Sequence, residues 1–212
     1  ITTVLHDRMK SPALVALLVL FLSASATAVT LVPAPPGINA DAYLLIDFAT
    51  GEVLVEHNID TRLPPASLTK LMTSYILAEE VDAGRLSLDD EVTVSRNAWS
   101  QNPKFRGSSL MWIEPGKSVT VGELEQGIAI SSGNDATVAI AEHIAGSEEA
   151  FVALMNRYAE ELALTATHFE NTHGLPNSDH LTTARDLGSL AIATIRDHPD
   201  RYRVYRQQSY TY

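Results

Sequence analysis

A serine and a lysine three residues apart, Ser67-Leu68-Thr69-Lys70, are residues whose types and spacing could together make a covalent bond. At a helix start the two side chains fall on one face, within reach of each other. A serine hydroxyl is inert until a neighbouring base takes its proton. A lysine amine can be that base where burial and the positive end of a helix favour its neutral form, so the pair needs no histidine. Ser-x-x-Lys is a short string that chance supplies readily, and a helix N-cap followed by a solvated lysine has the same appearance. Position favours the chemical reading: Pro64-Pro65 fixes the approach of the chain, and the helix that follows is apolar, which draws Lys70 inward. A second cluster, Ser132-Gly133-Asn134, places a hydroxyl and an amide on a tight loop, suited to relaying a proton and holding a substrate amide. By itself it also reads as a plain turn with an Asn N-cap. The joint occurrence of the two clusters favours chemistry.

The elements that must position these residues follow from periodicity. Ala42 to Phe48 and Glu52 to Glu56 are apolar runs around the turn signal Ala49-Thr50-Gly51, which predicts a β-hairpin. Leu68, Leu71, Met72, Tyr75 and Ile76 recur at spacings of three and four, which predicts a buried helix from near Ser67. Gln101 to Ser109 is rich in Asn, Pro, Gly and Ser, too polar for core and long enough to line a cleft. Val121 to Ile130 and Asp135 to Ile144 predict two helices flanking the Ser132 loop, the second stopped by Gly146. Further helices are expected from Glu148 to Leu162 and from Ala184 to Asp197, the latter opened by a capping-box pattern, Thr183-x-x-Asp186.

Composition narrows the function classes. A chain of 212 residues with 45% hydrophobic and 19% charged residues can bury a core. A formal net charge of -11 with scattered basic residues argues against nucleic acid as a partner. The absence of cysteine excludes thiol catalysis, disulfides and Cys-based metal sites. The seven histidines form no H-x-x-x-H or compact carboxylate cluster, so neither a metal nor any other cofactor is expected; His57 reads as a surface residue, and His143 and His180 as helix-face or loop residues. Arg8 and Lys10 precede the apolar run Ala13 to Leu22 and the small-residue stretch Ser23 to Ala28, the layout of an export signal cleaved after Ala28. The apolar run is about half of what a membrane span requires. Residues 1–28 are therefore set apart from the fold, with residues 1–8 upstream of a more natural start at Met9, and residues 29–40 form a Pro-rich linker.

With their flanks, the two clusters resemble the first two of three motifs in the D-alanyl-D-alanine carboxypeptidases, the low-molecular-mass penicillin-binding proteins related to serine β-lactamases. The matching segments are Leu63-Pro-Pro-Ala-Ser-Leu-Thr-Lys-Leu-Met-Thr73, Gly107-Ser-Ser-Leu-Met111, Ile130-Ser-Ser-Gly-Asn-Asp-Ala136 and His168-Phe-x-Asn-Thr-His-Gly-Leu175. The resemblance implies an α+β fold, an antiparallel sheet packed between helices with a mostly helical subdomain. It also implies an exported or periplasmic enzyme that removes the terminal D-alanine from peptidoglycan stem peptides through a serine acyl-enzyme, with β-lactams as covalent inhibitors. By matched motif, Ser67 is the nucleophile, Lys70 the acylation base and Ser132 the proton relay, with Asn134 and Gly133 on the substrate side. His173 and Asp186 match positions near the deacylation side more loosely.

The third motif of that family, Lys-Thr-Gly on an edge strand, does not occur, since neither Lys104 nor Lys117 is followed by Thr-Gly. In the family that strand binds the substrate carboxylate and supplies one of two oxyanion donors, each worth about 2.7 to 4 kcal/mol. The reading is of a catalytic domain over 41–212 truncated before that strand, with weak or no turnover by residues 29–212 alone and membrane anchoring only through a missing C-terminal segment. Two other readings share the first two motifs: a penicillin-binding sensor that acylates without turnover, and a class A-like β-lactamase. Against the second, Glu161-Leu-Ala-Leu-Thr165 lacks the final Asn of the β-lactamase Glu-x-x-Leu-Asn string.

Overall fold

The computed structural model describes residues 37–212; the export signal and most of the linker read from the sequence lie outside them. The chain enters through a hairpin, β1 (Tyr43–Ile46) paired antiparallel with β2 (Val53–His57). Its turn is built by Asp47, whose carboxylate accepts from the backbone N–H and the hydroxyl of Thr50 at 2.8 Å each. One face of the hairpin lies on α5 (Ala184–Asp197), where Gly188 makes room: a Cβ there would stand 2.9 Å from Leu44 Cδ2. Leu45 and Leu54 of the hairpin are exposed.

Pro65 leads into a 3-10 turn, Ala66–Thr69, that runs directly into α1 (Lys70–Asp82). α1 is wrapped by apolar neighbours on more than one side. Leu77 belongs to a core with Phe105, Ile113, Leu124 and Ile140, and Met72 and Ile76 to a second core with Phe151, Met155, Phe169 and Leu190. The helix that begins at the Ser67 turn is thus the shared wall of both cores, which holds that turn to the rest of the molecule.

Two three-residue strands, β3 (Glu91–Thr93) and β4 (Ser118–Thr120), pair antiparallel. They are too short for alternation to reveal them in the sequence. The stretch from Gln101 to Ser109 corrects the expectation of a coreless loop: a 3-10 turn at Pro103–Phe105, capped by the Asn102 side chain accepting from Lys104 N–H, turns Phe105 completely inward. α2 (Val121–Ser131) opens with a reciprocal capping box between Thr120 and Glu123. It ends at Ser132, and α3 (Asn134–Ala145) starts two residues later and stops at Gly146, φ +83°. α4 (Glu148–Glu161) and α5 occupy the expected ranges, and a short α6 (Pro199–Tyr202) follows. Among the described residues, two small antiparallel sheets and six helices make an α+β fold, and none of these helices is long and apolar enough to cross a membrane.

Candidate active site

Three of the five non-glycine residues with left-handed backbone among those described, Ala66, Trp112 and Ser132, belong to the segments around the Ser-x-x-Lys turn and the Ser132 loop. Such strain persists only where surrounding structure imposes it. At Ala66 (φ +49°) the imposing element is Gly174, whose α-carbon lies so close that an added Cβ would stand 1.8 Å from the Ala66 carbonyl oxygen. The 3-10 turn is held from its other end by His180, whose Nε2 lies 2.7 Å from Thr69 Oγ1 and whose Nδ1 accepts from Glu170 N–H. His180 is therefore a loop residue, as expected, but a buried one that tethers the turn. Ser67 emerges from this turn exposed.

Lys70 sits one turn below and is 5% exposed. Its ammonium donates to Asn134 Oδ1 at 2.6 Å, to the backbone oxygen of His173 at 2.9 Å and to Ser67 Oγ at 3.3 Å. All three acceptors are neutral. Burial pushes the Lys70 pKa down from 10.5 to about 8, with the charge of the nearby Asp135 opposing. The two short bonds fix two corners of the nitrogen and leave the third directed at Ser67, so the lone pair of the neutral amine points at the hydroxyl it would deprotonate.

Asn134 is held by its backbone N–H, which donates to Ser109 O at 2.9 Å, and by its place at the first turn of α3. Its neighbour Asp135 is fully buried and accepts from the backbone N–H groups of Met111, Trp112, Ile113 and Ala136. That carboxylate clamps the 111–113 strip against the Ser132 loop. Gly133 is the spacer between them: a Cβ would meet Met111 N at 3.0 Å, and its own N–H donates to Gly127 O. Ser132 ends α2 partly buried, with no side-chain hydrogen bond among the described residues.

The two loosely matched residues part company. His173 joins the cluster, but through its backbone carbonyl. Its ring is occupied on both nitrogens: Nδ1 accepts from Leu175 N–H, which leaves the proton on Nε2, and Nε2 lies 3.5 Å from Glu148 Oε1. Burial holds this ring well below the ordinary histidine pKa, and Lys104, Lys70 and His180 add to the shift against the pull of Glu148. Asp186 does not join. It lies in the first turn of α5, where its carboxylate accepts from Ala166 N–H at 3.0 Å and Thr167 Oγ1 at 2.7 Å.

Comparison with known proteins assigns the chain to a family. Residues 29–212 match the family model for D-alanyl-D-alanine carboxypeptidase, peptidase family S11. The chain belongs to that family. It is 46% identical over 184 residues to D-alanyl-D-alanine carboxypeptidase DacA of Escherichia coli, covering 86% of this chain and 46% of that protein. It is 44% identical over 153 residues to DacF of Bacillus subtilis, covering 72% and 38%. Among solved structures it superposes on penicillin-binding protein 5 of Haemophilus influenzae with a TM-score of 0.82 at 39% identity, covering 85% of this chain and 52% of that one. It also superposes on penicillin-binding protein D2 of Listeria monocytogenes in its cefotaxime-bound form, with a TM-score of 0.74 at 27% identity and coverage of 85% and 71%. The chain spans about half the length of the curated carboxypeptidases it matches. The two clusters singled out from the sequence, Ser67–Lys70 and Ser132–Asn134, lie together, with Ser67 Oγ and Asn134 Oδ1 both meeting the Lys70 nitrogen.

Proposed function

We propose that the protein is a serine-type D-Ala-D-Ala carboxypeptidase, acting on peptidoglycan stem peptides outside the cytoplasm and trapped by β-lactams at the same serine. The observation that carries this reading is the Lys70 nitrogen, buried among neutral acceptors with its remaining corner aimed at Ser67. In the neutral form, Lys70 takes the Ser67 proton as Oγ attacks the carbonyl of the penultimate D-alanine. The C–N bond to the terminal D-alanine breaks, and that amine leaves with a proton returned from Lys70 through Ser132. Asn134 holds the substrate amide while its Oδ1 keeps Lys70 in place, and Gly133 sets its position. Water then hydrolyses the Ser67 ester. The oxyanion donor contributed by the nucleophile would be the Ser67 N–H at the start of the 3-10 turn. The names of the relatives support the substrate class, and the cefotaxime complex of the Listeria protein supports the inhibitor class.

The test is D-alanine release from a pentapeptide ending in D-Ala-D-Ala. Release that is absent with the same peptide ending in L-Ala-L-Ala is the expected result. Acylation of Ser67 by a β-lactam with no D-alanine release would favour a penicillin-binding protein without turnover.

A further inference from the structure

Behind the Lys70 cluster lies a charged pair that the acyl-transfer steps do not use. Glu148, the first residue of α4, has a side chain only 14% exposed, and its two oxygens face opposite ways. Oε2 accepts from Lys104 Nζ at 3.0 Å. Oε1 accepts from Thr172 Oγ1 at 3.1 Å and lies 3.5 Å from His173 Nε2. Lys104 belongs to the irregular stretch that continues to Ser109, whose carbonyl fixes Asn134. Thr172 and His173 belong to the turn that offers its carbonyl to Lys70 and packs Gly174 on the Ala66 carbonyl. One carboxylate therefore ties both segments that orient Lys70 to the start of a single helix. The contact between the two segments is closed by the Phe105 ring, edge-on to His173 with centroids 5.8 Å apart.

A buried ion pair is a poor source of stability, because apolar replacements of similar volume often match or exceed it. Its value here is directional. Burial alone would raise the Glu148 carboxyl, but the Lys104 hydrogen bond and charge, then His173 and Thr172, hold it below its ordinary value, so it stays an anion that accepts from both sides.

We infer that Glu148 is a positioning residue for acyl transfer: with Lys104 it forms a strut that holds the His173 carbonyl and the Asn134 amide at the distances that aim Lys70 at Ser67. The inference rests on the acyl-transfer reading above. Substituting Lys104→Met and Glu148→Met together removes both charges at once and leaves no unpaired charge inside. The first-order acylation rate constant for a fluorescent penicillin is expected to fall about tenfold or more, with the non-covalent dissociation constant unchanged. Glu148→Gln keeps one acceptor, for the Thr172 hydroxyl, but turns its NH2 group towards the Lys104 ammonium, so it is expected to slow the same step by less than the double variant does. Thr172→Val cuts the strut at its other end without disturbing the charge pair, and is expected to slow the same step. Wild-type rates in the double variant, or in Thr172→Val should the double variant not fold, would overturn the inference. So would a Glu148→Gln protein that acylates at the wild-type rate. Failure of the wild-type protein to label at Ser67 would instead count against the functional reading itself.

Discussion

Lys70 and Lys104 both lie in or against the interior, yet they are held by different kinds of partner. Lys70 donates to a hydroxyl, an amide oxygen and a backbone carbonyl, whereas Lys104 donates to the Glu148 carboxylate and to Asn97 Oδ1. A carboxylate stabilises an ammonium by charge as well as by the hydrogen bond. Neutral acceptors orient the nitrogen without repaying its full desolvation, which is why burial takes the Lys70 pKa to about 8. The contrast teaches what makes a lysine a base: shelter from water among dipoles, with no anion in direct contact. The cost appears as stability. Burying the Lys70 ammonium disfavours the native state by about 3 kcal/mol below pH 8, from a pKa of about 8 folded against 10.5 unfolded.

Removing the base breaks the contrast most severely. Lys70→Met is expected to slow acylation by about 10²- to 10⁴-fold, read as the rate of penicillin labelling. Asn134→Asp sharpens it, because it gives Lys70 the kind of partner that Lys104 has. A carboxylate at the 2.6 Å position raises the Lys70 pKa, so acylation at pH 7 is expected to drop by at least about tenfold and its acid limb to move above pH 8. An acid limb left in place would show that the neutral character of the acceptor is unimportant. Gly174→Ala forces a Cβ onto the Ala66 carbonyl at φ +90°, with an expected stability loss of about 1 to 3 kcal/mol by thermal melting and slower labelling.

The stability curve should show both sides of the account. The unfolded chain binds the Lys70 proton up to pH 10.5 and the folded chain only to about 8, so stability rises with pH between those values. His180 behaves alike at lower pH. Burial takes its pKa to about 4 from 6.5, so stability is lost as pH falls through that window, where a proton on Nδ1 opposes the Glu170 N–H that the neutral ring accepts from. Urea melts at pH 4, 7 and 9 check both directions.

Much of this was legible in the sequence where periodicity or a local string carried it. The helices around the Ser132 loop and the start of α1 stand where apolar spacing put them, because packing against two cores enforces the same period the sequence shows, and the hairpin stands where two apolar runs flank a turn signal. The capping pattern at Thr183 was half legible. Thr183 does accept from Asp186 N–H, but the Asp186 carboxylate turns away to Ala166 and Thr167, a choice made by residues twenty positions earlier. His173 was found by motif, yet it serves through its carbonyl, which every residue type carries and no sequence pattern distinguishes. The tether at His180 and the strut at Glu148 were illegible for a related reason. Each is a single polar side chain whose partners, Thr69 and Lys104, are 111 and 44 positions away. Asp135 left a weak signal, an acidic residue in the first turn of α3 beside a motif amide, but nothing local foretells that it collects four backbone N–H groups.

The central claim, that Ser67 is the nucleophile Lys70 serves, is tested most directly by reacting the protein with benzylpenicillin and locating the adduct by peptide mass mapping. The account predicts one penicilloyl group, on the peptide that contains Ser67, and none in Ser67→Ala. An adduct on Ser132 or another residue, or labelling that persists in Ser67→Ala, would contradict it.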